Sequence, residues 1–123
     1  MNQLTIIGNM VEKPVIRYTE KGIAQATFRL GVNRRYQSNG EWKQEATFFT
    51  CVTWAELAEA VTANFEKGDR AIVVGRMASR SYEDAKGDKR TVWELAAEDV
   101  GVSVKPAKTA GRGTRPETPE EPF

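Results

Sequence analysis

The sequence predicts an all-β domain: a five-stranded Greek-key barrel carrying one α-helix between its third and fourth strands. Three observations predict it. Small or apolar residues alternate with polar ones at a period of two through much of the first 105 positions. One stretch, from Glu56 to Glu66, switches to a helical period. Glycine-, asparagine- and aspartate-bearing turns separate the alternating runs at strand-like intervals.

Leu4-Thr5-Ile6-Ile7 opens the first strand. Gly8 marks a bulge or a close backbone approach, because a strand glycine offers no side chain to pack. Pro14 suits an edge or bend in the continuation to Arg17 and Tyr18. Glu20-Lys21-Gly22 is the turn into the second strand, where Ala24, Ala26, Phe28, Leu30 and Val32 share one parity. A polar segment, Gln37 to Glu41, contains Asn39-Gly40, a hairpin signal. The third strand is read from Glu45 to Trp54. Leu57, Val61 and Phe65 then fall at i, i+4 and i+8, with Glu56, Glu59, Ala63 and Glu66 opposite. Thr53 and Glu56 have capping-box spacing, and Gly68 sits where a C-terminal helix glycine belongs. Ala71 to Tyr82 is the fourth strand and Arg90 to Val104 the fifth, with a possible break near Glu98-Asp99. Asp84 to Asp88 forms the charged hairpin tip between them. This order matches the oligonucleotide-binding barrel, although other small mixed domains share five strands and one helix.

From Pro106 the composition shifts. Residues 106–123 hold four of the five prolines and lack apolar periodicity, so a disordered C-terminal tail is expected after a domain at 1–105. No signal peptide or membrane-length apolar run is read, and a cytoplasmic location fits.

Composition excludes more than it asserts. The chain has no His and one cysteine, Cys51, which removes the usual zinc sets, an internal disulfide and His-based acid catalysis. Cys51 lies in a strand-like run and is expected to be a small buried apolar residue. Carboxylates are scattered singly, so no acid–base pair, metal or cofactor is expected, and an enzyme is not. Residues 1–105 carry 15 Lys/Arg against 14 Asp/Glu, so any attraction for a polyanion must come from placement rather than total charge.

The informative residues are aromatic and basic. Tyr36 follows Arg34-Arg35, and Tyr82 shares a parity with Arg76 and Arg80, with Lys86, Lys89 and Arg90 in the hairpin beyond. Phe48 and Trp54 share one parity of the third strand, while Phe49, Cys51 and Thr53 take the other. Periodicity does not say which parity faces out, and Trp54 fits core packing as well as contact with a ligand. Arg34-Arg35 also fits a solvated strand edge. Exposed rings stack on any base, and nearby Lys and Arg neutralise phosphates, so this mixture suits a sequence-tolerant binder of unpaired nucleic acid.

The stretches TIIGNMVEKPVIRYTEKGIAQATFRLGVN, FFTCVTWAELAEAVTANFEKGDRAIVVGRM and RSYEDAKGDKRTVWEL, in this order, resemble the bacterial single-stranded DNA-binding protein family over residues 2–104. The resemblance implies a homotetramer with single-stranded DNA wrapped around it. It implies stacking at Tyr36, Phe48, Trp54 and Tyr82, and basic contacts at Arg17, Lys67 and Arg80. Local charge adds Arg34, Arg35, Lys86 and Arg90. Family tails end in several acids and Ile-Pro-Phe, a tip that recruits replication, recombination and repair proteins. Here Glu120-Glu121-Pro122-Phe123 keeps only part of that pattern, which fits a short-tailed paralogue with weakened partner docking. The expected function is sequence-independent protection of single-stranded DNA. The alternative is an oligomeric interaction module of a replication complex with weak DNA affinity, and an RNA-binding barrel also stays open.

Overall fold

The computed structural model describes residues 1–105. Its elements are β1 (Leu4–Met10), β2 (Val15–Tyr18), β3 (Ala24–Ser38), β4 (Glu41–Trp54), α1 (Ala55–Asn64), β5 (Arg70–Glu83) and β6 (Lys89–Val102). The sheet order is β1-β5-β6-β4-β3-β2. A further β1–β3 pairing, Asn9 with Gly31 and Met10 with Leu30, closes it into a barrel. β1 and β2 together are the bent first strand that the sequence predicts, with the break falling around Pro14. The barrel is therefore five-stranded in the expected sense, with its helix between the expected third and fourth strands.

Closure depends on a close approach at Gly8. A Cβ there would stand 2.7 Å from the Gly31 carbonyl oxygen, so only glycine lets β1 cross β3. The alternation in β3 resolves as predicted, with Ala24, Ala26, Phe28 and Leu30 all buried. In β4 the inward set is Phe49, Cys51 and Thr53, although Val52 beside them is also buried. Cys51 is fully buried, and burial pushes its thiol up to about 12, as expected of an inert apolar cysteine. Leu30, Cys51, Val61, Val73 and Leu95 form the centre of the core, and Val61, with Phe65 at the helix C-cap, brings one face of α1 onto it.

Three local expectations are corrected. The capping box does not form: Trp54 is the N-cap with no side-chain cap bond, and the Thr53 hydroxyl donates instead to the Ala26 carbonyl, 3.0 Å away across the ladder. Thr53 is buried, and satisfying a buried hydroxyl within the sheet wins over capping. Gly68 does not cap the helix, which closes at Phe65. Gly68 takes φ +90° in the following turn and donates its N–H to the Met10 carbonyl. β6, the predicted fifth strand, runs on through Glu98-Asp99 without breaking. Val74 pairs with Asp99 and Gly75 with Ala97, leaving Glu98 as the extra residue of a β-bulge.

The polar stretch before β4 differs most from expectation. Asn39 and Gly40 take φ of 51° and 79°, the signs of a type I′ turn, which matches the twist of the flanking strands. Pairing then runs without interruption from Ser38–Glu41 to Gln25–Trp54. β3 and β4 thus extend past the core as a two-stranded arm. β5 and β6 form a second arm, closed by a turn in which the Asp84 carboxylate accepts the Lys86 and Asp88 N–H groups. Because β4 and β6 run parallel where they meet (Cys51–Leu95 and Val52–Ala96), both arms leave the barrel in the same direction.

Candidate nucleic-acid interface

Strand register decides which predicted residues share a face. With Phe49, Cys51 and Thr53 inside, the opposite parity of β4 points out: Trp42, Gln44, Ala46, Phe48, Thr50, Val52 and Trp54. Their partners on β3 are Gln37, Arg35, Asn33, Gly31, Arg29, Thr27 and Gln25. No acidic residue occurs in either row. Phe48 is 52% exposed and Trp54 48% exposed, so both open alternatives resolve outward.

Trp54 faces outward because of the backbone beside it. It ends β4 in extended conformation (φ −131°, ψ 154°), and Ala55 then takes a left-handed φ of 56° to enter α1. That conformation is costly for a residue with a Cβ. It turns the chain between strand and helix without carrying Trp54 into the core. Phe48 lies over its cross-strand partner Gly31, where a Cβ would meet the ring at 3.3 Å. The Arg29 guanidinium sits 4.9 Å from the Phe48 centroid.

Arg17 is exposed on β2 and pairs with Gln25, which pairs with Trp54, so Arg17 joins the same face. On the other arm, Val52 pairs with Ala96 and Ala96 with Arg76, which carries the outward parity to Arg76, Arg80 and Tyr82. Tyr82 is 44% exposed, with Arg80 5.8 Å from its centroid and Arg90 as its cross-strand partner. Lys86 is exposed in the turn at the end of this arm.

The arginines differ in what holds them. Arg80 Nε donates to Glu94 Oε1 at 3.1 Å, and that bond raises the already high pKa of the guanidinium. Arg90 Nε donates to Asp84 Oδ2 at 2.8 Å. This bond, then the Asp88 N–H, holds Asp84 below the usual carboxylate range. Among the described residues, Arg17, Arg29 and Arg35 form no ion pair, so no carboxylate there competes with a phosphate for them.

Not every predicted residue joins this face. Tyr36 and Arg34 lie on the reverse side of the β3–β4 arm, in the row with Glu41, Lys43 and Glu45. Arg34 stands 5.0 Å from the Tyr36 ring and pairs with Glu45 at 3.5 Å. Lys67 is exposed in the turn after α1, outside both outward rows. Glu120, Glu121, Pro122 and Phe123 lie outside the described residues. Sequence reasoning missed Arg29 and Trp42 on the outward face, and Trp93, opposite Ser79 on the reverse side of the second arm. For Trp42 a signal existed: 42, 48 and 54 are aromatic at intervals of six, an even number that keeps one strand face.

A closed Greek-key barrel of five strands, one helix and an outward face of rings and guanidinium groups is an oligonucleotide-binding fold. The chain belongs to the single-strand binding protein family, whose model matches residues 1–103. It is 42% identical over 118 residues to single-stranded DNA-binding protein 2 of Streptomyces coelicolor, covering 89% of this chain and 59% of that relative. Single-stranded DNA-binding protein 3 of Listeria innocua is 40% identical over 114 residues, covering 93% and 71%. The single-stranded DNA-binding protein of Corynebacterium glutamicum is 41% identical over 108 residues, covering 85% and 48%. The chain thus spans from about half to seven-tenths of the length of these relatives.

Proposed function

We propose that this protein binds single-stranded DNA without regard to sequence, and so protects strands exposed in replication, recombination and repair. The carrying observation is the acid-free outward face of β3 and β4, with Phe48 and Trp54 open to solvent and with Arg29 and Arg35 on the same face, in no ion pair among the described residues. Bases stack on the rings and phosphates meet the guanidinium groups. Tyr82, Arg80, Arg90 and Lys86 on the second arm, and Arg17 on β2, extend the contact. Tyr36 and Arg34 meet a strand that passes round the edge of the first arm, and Lys67 one that continues past the helix. The mechanism is equilibrium binding with no bond made or broken. The setting is the cytoplasm; among the described residues no helix is long and apolar enough to cross a membrane.

The test is a titration with long oligothymidine, read by tryptophan and tyrosine emission. Emission falls as bases stack, and log K falls with log salt at about −0.7 per neutralised phosphate. Unchanged emission with no complex in dilute salt would overturn the reading. Competition with a matched RNA strand should favour DNA.

The active form is a homotetramer. β1 supports this, since from Leu4 to Gly8 it has β5 on one side and, among the described residues, no strand on the other, and exposed Ile7 stands beside Ile72 on its outward face. An unprotected apolar edge invites pairing with another copy. Sedimentation is expected to give about four chains per particle, and Ile7→Lys should reduce that number. Docking of other proteins falls to the tip at Glu120 to Phe123.

A further inference from the structure

We propose that Trp42 is a further base-stacking platform, carrying the DNA path out along the β3–β4 arm; the inference rests on the single-strand-binding reading above. Trp42 is 64% exposed. Every residue from Glu41 to Phe48 is exposed, so the indole has no core to fill. A large ring left mostly in water, touching one cross-strand guanidinium, contributes little to holding the fold.

Its placement is regular. Trp54, Phe48 and Trp42 share the outward face at intervals of six residues, about 20 Å each at about 3.3 Å per residue. The local arrangement at Phe48 repeats at Trp42. Arg29 covers Phe48 at 4.9 Å and Arg35 covers Trp42 at 5.2 Å, neither held by a carboxylate among the described residues. A guanidinium lying on an indole occupies the space a base would take. An arriving base displaces it toward the adjoining phosphate, so ring and charge serve neighbouring parts of one nucleotide.

Charge separates the two faces of the arm. Between Phe48 and the turn the outward row holds Asn33, Arg35, Gln37, Trp42, Gln44 and Ala46, with no acid. Both carboxylates of the arm, Glu41 and Glu45, are in the reverse row. A polyanion meets net attraction on the side where Trp42 lies.

The test compares Trp42→Ala and Trp42→Phe with the parent on two oligothymidines: one of about eight nucleotides, within the range a single such barrel covers, and one several times longer. Trp42→Ala should bind the long strand about fivefold more weakly or worse and the short strand within twofold of the parent. Trp42→Phe should recover most of the loss. A variant with Trp42 as its only tryptophan (Trp54→Phe, Trp93→Phe) should lose emission when anisotropy of a labelled long strand reports binding. Equal long-strand affinity for Trp42→Ala overturns the proposal, as does unchanged emission of the sole Trp42 in a formed complex. A fall in sedimentation coefficient of DNA-free Trp42→Ala also overturns it, by showing that the ring contacts a second copy instead. If the parent binds neither strand, the underlying function fails first and is distinguished by that result.

Discussion

Replacing Phe48 and Trp54 together by alanine is expected to weaken oligothymidine binding by about thirtyfold or more while leaving the protein folded. Each stacked ring contributes about 1–3 kcal/mol by alanine substitution, and the two are far enough apart for the losses to add roughly. Both side chains stand half in solvent, so little core contact is lost with them. The neighbouring substitution Phe49→Ala gives the contrast. Phe49 packs against the core cluster, and its truncation should cost about 3 kcal/mol of stability. Strand affinity should then hold wherever the variant stays folded. Melting curves and titrations of both variants check the pair. If the double variant binds like the parent, the outward face of β4 is not the interface.

Gly75→Ala is expected to be the most damaging single-methyl change in the fold. A Cβ at Gly75 would stand 2.1 Å from the Ala96 carbonyl oxygen and 2.9 Å from the Ala97 Cα. The obstruction is backbone, not a side chain that can rotate away, and it lies at the bulge where β5 changes register on β6. Relief requires the two strands to separate. A cost of about 3 kcal/mol follows from overpacking of this kind, which lowers the melting midpoint of a domain this size by roughly 10–20 °C. Calorimetry measures it, and a midpoint within a few degrees of the parent would show that the bulge yields.

The parts of the fold legible in sequence were those where burial has a period. Ala24 to Leu30 alternate because one face of β3 meets the core, and Ala58 and Val61, with Phe65 just past the helix end, mark the buried face of α1. What stayed hidden depended on partners remote in sequence. Thr53 reads as a helix cap until Ala26 is placed across the ladder from it. The choice between Phe48 and Phe49 needed the neighbours that bury Cys51. Residues 42–44 carry no strand signal because an arm solvated on both faces has no apolar alternation, yet turn chemistry at Asn39-Gly40 and ladder bonds make them strand. Trp42 was lost with that segment. Tyr36 lies near the end of β3, and its side of the ribbon follows only from register, which sets it opposite Lys43.

The apolar interior ends near Val32, Phe49 and Met77, while both arms run on beyond it. Isolated two-stranded ribbons are barely stable in water, so the arm ends, where the proposed contacts lie, are at the soft extreme of the molecule's local stabilities. A ligand laid across both would spend some of its interaction stiffening them, and would leave them better prepared for whatever binds next. Pliancy is thus separated in space from the rigid body that carries it.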